Sequence, residues 1–291
     1  MEEKTKKNTD HSGLLYLCAT PIGNLKDITV RALECMKEAD YIAVENIDRS
    51  RKLLSRYEIK TPLLTFRESN REKKGKEILS LVQQGAQVVL ITDAGLPAIS
   101  DPGFNLVEMA VSEGVPFTVL PGPSAALTAL LRSGLPAHRF VFWGFLSQKK
   151  SERKTELISI AAEDKTAILY EAPHRLLKTL QEMQDYFGER TVAVCRELTK
   201  LFEEVLQGTP AELQALFQKT PPRGEITLVI APGPGKSAHM LPEEQVEDRL
   251  KELLNQGAAP SEAVKQVARQ SSLTRGQVYE RMLKLQGKKD P

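Results

Sequence analysis

The sequence predicts an α/β protein of two domains followed by a small helical appendage, and three observations carry that prediction. Between residues 14 and 230, short apolar or β-branched runs alternate with longer segments whose apolar residues recur at three- and four-residue steps, the pattern of strand–helix–strand architecture. Ser133-Gly134-Leu135-Pro136 interrupts this pattern midway, where glycine and proline punctuate the chain. After Ala231-Pro-Gly-Pro-Gly-Lys236 the alternation ends, and charged segments of helical period take over. With 291 residues, 41% hydrophobic and 27% charged, the chain has enough apolar material for two cores.

Residues 1–13 are almost wholly polar and read as a disordered tail outside the fold. The first domain, 14–132, carries expected strands at 14–20, 41–45, 87–92 and 117–120, with helices at 28–39, 72–84 and 125–131. The second, 137–232, carries strands at 140–145, 166–170, 191–196, 203–207 and 225–230, with helices at 152–162, 174–186 and 210–218. Its closely spaced strands after Arg190 predict a mixed sheet, because consecutive strands without an intervening helix favour antiparallel pairing. In the appendage, 241–287, helices at 243–255, 261–270 and 274–285 are separated by turns at Gln256-Gly257 and Ser271-Ser272, a helix-turn-helix-like arrangement. Lys265, Arg269, Arg275, Arg281, Lys284, Lys288 and Lys289 face only Glu280 and Asp290 there, which a basic binding face or a solvated helix surface explains equally well.

Composition excludes several classes of function. No apolar run approaches the roughly 20 residues of a membrane-spanning helix, so a cytoplasmic protein without membrane contact is expected. Cys18, Cys35 and Cys195 are scattered and the four histidines form no cluster, so no metal site is expected. A net charge of +2 is too small to argue for nucleic acid unaided, and any such claim rests on local features. Gly235-Lys236-Ser237 mimics the end of a phosphate-binding loop, but Ile230 stands where that motif needs glycine, and a linker is the simpler account.

Four segments follow expected strands, and open α/β sheets place their ligands at strand ends. They are Ala19-Thr-Pro-Ile-Gly-Asn24, Thr92-Asp-Ala-Gly-Leu-Pro-Ala-Ile-Ser-Asp-Pro-Gly103, Leu120-Pro-Gly-Pro-Ser-Ala125 and Tyr170-Glu-Ala-Pro-His-Arg175. Each alone reads as an ordinary turn; their occurrence in this order discriminates. With Phe145, Arg196-Glu-Leu-Thr-Lys200 and Arg223-Gly-Glu225, they resemble the tetrapyrrole-methylase class (class III methyltransferases), and in detail its ribosomal RNA branch, from about residue 14 to 230. The resemblance implies a homodimer that binds S-adenosyl-L-methionine between its two domains and methylates a cytidine ribose 2′-hydroxyl in small-subunit ribosomal RNA. Carried over by position, the cofactor contacts fall on Pro21, Asp93, Ala94, Gly95, Ile99, Ser124, Ala125, Tyr170, Glu171 and Ala193. Small residues and helix-start N–H groups suit such a cofactor.

A ribose hydroxyl is a poor nucleophile near neutral pH and needs help in losing its proton. Glu45, Asp93 and Glu171 are the candidate bases in the expected cleft, with helix capping as the alternative role for Asp93. Asn24, Arg49, Lys149, Lys150, Arg175, Arg196 and Lys200 are the candidate substrate contacts, the cations through RNA phosphates. One departure stands out: where the family has Glu-Asp-Thr-Arg, this chain has Glu45-Asn46-Ile47-Asp48, with Arg49 one position late, so altered substrate contacts are expected there. Two further readings compete, namely a methyltransferase acting on a tetrapyrrole precursor and a non-catalytic nucleic-acid-binding relative.

Overall fold

A computed structural model describes residues 12–100, 103–233, 243–271 and 273–285. The expected N-terminal tail up to residue 11, the phosphate-loop mimic at 235–237, and Lys288 and Lys289 lie outside these residues.

The first sheet contains β1 (Leu14–Cys18), β2 (Tyr41–Val44), β3 (Leu63–Thr65), β4 (Gln87–Ile91) and β5 (Phe117–Leu120) in the order β3-β2-β4-β1-β5, with every pairing parallel. Its helices are α1 (Val30–Glu38), α2 (Ile47–Arg56), α3 (Arg71–Gln83), α4 (Phe104–Glu113) and α5 (Ala125–Arg132). The central strands β1 and β4 are apolar on both faces because each face is covered: Leu15, Leu17 and Leu90 pack in one cluster with Ile78 and Leu79 of α3, while Cys18, Val89 and Ile91 pack in another with Met36 of α1. Thr29 fixes the start of α1 by accepting the Ala32 N–H at 3.2 Å.

The second sheet, ordered β6-β7-β10-β8-β9, consists of β6 (Phe140–Phe145), β7 (Thr166–Glu171), β8 (Val192–Arg196), β9 (Glu204–Gly208) and β10 (Ile226–Ile230). Only β6 and β7 run parallel; the other pairings are antiparallel, the mixed sheet expected from the strand spacing. Helices α6 (Lys150–Ala161), α7 (Pro173–Phe187) and α8 (Pro210–Lys219) cover one face through Leu157, Ile160, Leu176, Leu180, Leu213 and Phe217. Against the other face lies α5 of the first unit: Ala126, Ala129 and Leu130 share a core with Ile168, Ala193, Cys195 and Val229. This shared apolar seam fixes the two sheets relative to each other and sets strand ends of both around one cleft.

In the C-terminal part, α9 (Val246–Asn255), α10 (Pro260–Gln270) and α11 (Arg275–Leu285) enclose their own small core of Val246, Leu250, Ala263, Val267, Val278 and Met282. Two cations of the expected basic face are paired locally, Arg281 with Glu243 at 2.8 Å and Lys265 with Glu262 at 3.6 Å. Among the described residues no helix is long and apolar enough to cross a membrane, and no cluster of His, Cys, Asp and Glu could hold a metal ion.

Candidate active site

The loops after β1 and β4 are stitched together where the parallel sheet ends. Thr20 and Gly95 exchange backbone hydrogen bonds at 2.8 and 3.0 Å, and the Thr20 hydroxyl donates to the Thr92 carbonyl at 3.1 Å. Gly95 takes φ +80°, while Ala98 and Ser100 take φ +69° and +63°, conformations that cost L-residues free energy and concentrate at functional sites. Beside them Ser124 caps α5, accepting the Leu127 N–H, and the first N–H groups of that helix have no intrahelical partner.

These loops face Phe145, Tyr170, Ala172, Leu198 and Ile226 of the second unit across a cavity of about 300 Å³. Of the ten residues expected at a cofactor, Ala94, Gly95, Ile99, Ser124, Ala125, Tyr170 and Glu171 line it. Three do not. Pro21 is buried beside the lining residue Ile22, Asp93 sits one position before the wall, and Ala193 is fully buried in the apolar seam between the sheets. Sequence reasoning missed Leu96, Ser100 and Leu198, apolar or small residues on irregular loops that carry no periodic signal.

The three candidate bases part company. Glu171, at the end of β7, has its side chain 1% exposed. Its carboxylate accepts from the Thr179 hydroxyl and, at 2.8 Å, from the Ala172 N–H, with Arg153 at 3.7 Å and Arg175 at 3.4 Å. A carboxylate so placed ties the end of β7 to α6 and α7, and this structural role accounts for it without a part in proton transfer. Asp93 opens no helix, since residues 93–100 are turns and the next helix begins at Phe104, so the capping role is withdrawn. Its Oδ2 accepts from Arg49 at 2.8 Å, while its Oδ1 is buried without a hydrogen-bond partner among the described residues. Glu45 lies close enough to Asp93 to feel its charge: burial, and then that charge, raise its pKa against the opposing pull of Arg49 and Arg67.

The cations expected to hold phosphate are largely engaged within the protein. Arg175 donates to the Leu146 carbonyl at 2.9 Å and Lys200 bridges Glu197 and Glu225 at 2.8 Å each. Arg196 is paired with Glu204. Arg153, which follows the candidate contacts Lys149 and Lys150, is buried on Glu182 and Thr179. Exposed Lys149 pairs with Glu152 at 3.0 Å, Lys150 begins α6 on the surface, and Asn24 caps a short turn while its N–H reaches Thr199 at 3.0 Å. The departure at Glu45-Asn46-Ile47-Asp48 is not a loop but the start of α2: Asn46 accepts the Asp48 and Arg49 N–H groups, and the helix swings Arg49 onto Asp93.

Two sheets of this topology, joined by a seam and open at a shared cleft, define the class. Residues 14–214 match the family described as Tetrapyrrole (Corrin/Porphyrin) Methylases, and the chain belongs to it. Within that family it is 42% identical over 275 residues to the ribosomal RNA small subunit methyltransferase I of Synechocystis sp., covering 94% of this chain and 99% of that relative. The protein of the same name from Bacillus subtilis is 40% identical over 92% of this chain and 93% of its own length. Among solved structures, a uroporphyrin-III C-methyltransferase from Thermus thermophilus complexed with S-adenosyl homocysteine shares the fold at a TM-score of 0.55 and 19% identity, over 75% of this chain and 97% of that one.

Proposed function

We propose that the protein transfers a methyl group from S-adenosyl-L-methionine to the ribose 2′-hydroxyl of a cytidine in small-subunit ribosomal RNA. The observation that carries this reading is the cavity between the two sheets, on a chain that matches the rRNA-methylating relatives along nearly their whole length. Its volume and mostly apolar lining fit a cofactor pocket. Ala94, Gly95, Ala125 and Ala172 leave room for a folded ligand, and the free N–H groups at the start of α5 suit its carboxylate.

When bound, the cofactor supplies an electrophilic methyl group on a sulfonium centre. The residues of the chain then have two tasks. The rigid loops tied through Thr20 and Gly95 hold the reactants in line, which replaces an improbable encounter by a fixed approach. Asp93 accepts the proton of the ribose hydroxyl, with Glu45 behind it holding the shared negative charge in check. Arg49, 71% exposed, pairs with Asp93 and is placed to meet a phosphate; Lys149 and Lys150 lie on the same unit as Phe145 and add positive charge for the RNA backbone.

The same reading includes a homodimer. Leu127 and Leu131 of α5 and Leu201 and Phe202 of the β8–β9 turn are large apolar side chains left at least half exposed, and Arg132 pairs with Glu203 between the two elements at 2.7 Å. Monomeric proteins seldom leave such a patch in water. Light scattering at micromolar concentration should report a dimer; a monomer removes this part of the reading. The function itself is tested by incubating the protein with labelled S-adenosylmethionine and small ribosomal subunits and mapping the label. A single 2′-O-methylated cytidine is expected; an unlabelled subunit, with label instead on a tetrapyrrole precursor supplied in a parallel reaction, would overturn the acceptor.

A further inference from the structure

Resting on that reading, the mouth of the cavity carries a feature that the chemistry of methyl transfer does not use. Strand β6 breaks register between Phe142 and Gly144, and Gly144 takes φ +66°. A Cβ at Gly144 would lie 3.0 Å from the Ser100 hydroxyl, so the kink sits close against the strained loop of the first unit. Bulges of this kind re-aim the side chain that follows. Here that residue is Phe145, which lines the cavity yet is 52% exposed. An aromatic ring half in water on a cavity rim loses apolar burial that an inward rotamer or a polar residue would avoid.

The ring is also held in place. Phe145 pairs with Tyr170 across the parallel ladder, and their rings meet at 5.6 Å with planes tilted by 59°. Tyr170 is braced in turn by Phe142 at 5.0 Å, edge to face. The next carbonyl, that of Leu146, is gripped by Arg175, which is itself fixed by Glu171. Arg175, expected from the sequence to hold phosphate, instead immobilises the segment that presents Phe145. On the opposite rim the other large apolar residue is Ile99, 42% exposed.

We propose that Phe145 is a base-stacking residue: the target nucleotide leaves its helix, and its nucleobase stacks on the exposed part of the Phe145 ring while the ribose hydroxyl enters the cleft. A nucleotide stacked on both sides within folded RNA cannot bring its sugar alone into a narrow mouth between two domains. Extruding it costs a few kcal/mol of stacking, and a preset aromatic surface offsets that cost without reading sequence. The ring already rests against Tyr170 before binding, which limits the conformational entropy lost on contact.

The test uses the full chain and measures two things on each variant: affinity for S-adenosylhomocysteine by calorimetry and kcat/KM for methyl transfer to small ribosomal subunits. Phe145→Ala should lower kcat/KM roughly 10- to 100-fold, the size of losing one base-on-ring contact. S-adenosylhomocysteine affinity should fall far less than transfer does, and the variant should remain folded. Phe145→Tyr and Phe145→Trp should keep most of the activity, and Phe145→Leu should behave like the alanine variant. Unchanged transfer by Phe145→Ala, or full activity in Phe145→Leu, overturns the stack. A fall in S-adenosylhomocysteine affinity matching the loss of transfer also overturns it, since the ring then serves the cofactor. If the unmodified protein transfers no methyl group to the subunit, the proposed function falls and the stack with it; an active parent with an undiminished alanine variant sinks the stack alone.

Discussion

Asp93→Asn is expected to slow single-turnover methyl transfer by roughly 10²- to 10⁴-fold, the usual contribution of a positioned general base. The substitution is nearly isosteric and keeps an oxygen for Arg49, so S-adenosylhomocysteine affinity should change little. The buried Oδ1 of Asp93 is an acceptor with no partner among the described residues, one position before the cavity-lining Ala94. The pH dependence follows from its neighbour. Burial and the Asp93 charge raise the Glu45 pKa, so as pH falls Glu45 takes up its proton earlier than a free glutamate would. Transfer should therefore lose the support of the Glu45 charge on acidification before exposed carboxylates titrate, and Glu45→Gln, which has no proton to gain, should lack that step. An Asp93→Asn variant as fast as its parent would place the base elsewhere.

Removing the Glu171 carboxylate should have the largest effect on stability. Glu171→Ala leaves Arg153 buried with its nearest opposite charge beyond Glu182 gone, and breaking one partner out of a buried network typically costs about 3–5 kcal/mol. For a protein of this size that lowers the melting temperature by something on the order of 10 °C. Replacing both ends with apolar residues, Glu171→Leu with Arg153→Met, should recover part of the loss, because the deeply buried guanidinium is then gone and the charges left over, Arg175 and Glu182, are partly exposed. The result separates this account from the sequence expectation that Glu171 is a base. A base would give a Glu171→Gln variant of normal stability and little activity; a structural carboxylate gives the reverse order of effects.

How much of this was legible in the sequence depended on periodicity. The parallel strands β1 and β4 and the amphipathic helices α3 and α7 announce themselves through apolar runs and three- and four-residue steps. Strand β3 has three residues at a sheet edge, too few to show a period. Helix α2 buries only Ser50 and Leu54 on an otherwise charged surface, so its pattern reads as loop. Helix α4 begins directly after a Gly/Pro-rich segment that masks its start. Within the site, loops of the right composition located the cavity, because small and kinked residues leave a trace in sequence. What a charged residue is paired with leaves none. Arg153, Arg175, Arg196 and Lys200 look alike as free cations until the fold shows Glu171, Leu146, Glu204, Glu197 and Glu225 beside them. For the same reason, the shift of arginine to position 49 looked like a lost contact, yet one helical turn from the Asn46 cap delivers its guanidinium to Asp93.

The central claim is that the cavity between the two sheets is the cofactor site, and calorimetric titration of the full chain with S-adenosylhomocysteine tests it most directly. Saturable binding well below millimolar is predicted, near one ligand per chain. In Gly95→Val the binding should be lost, because a β-branched side chain cannot adopt φ +80° in the loop that forms the wall. No saturable binding up to millimolar ligand, or binding that Gly95→Val leaves untouched, would contradict the account.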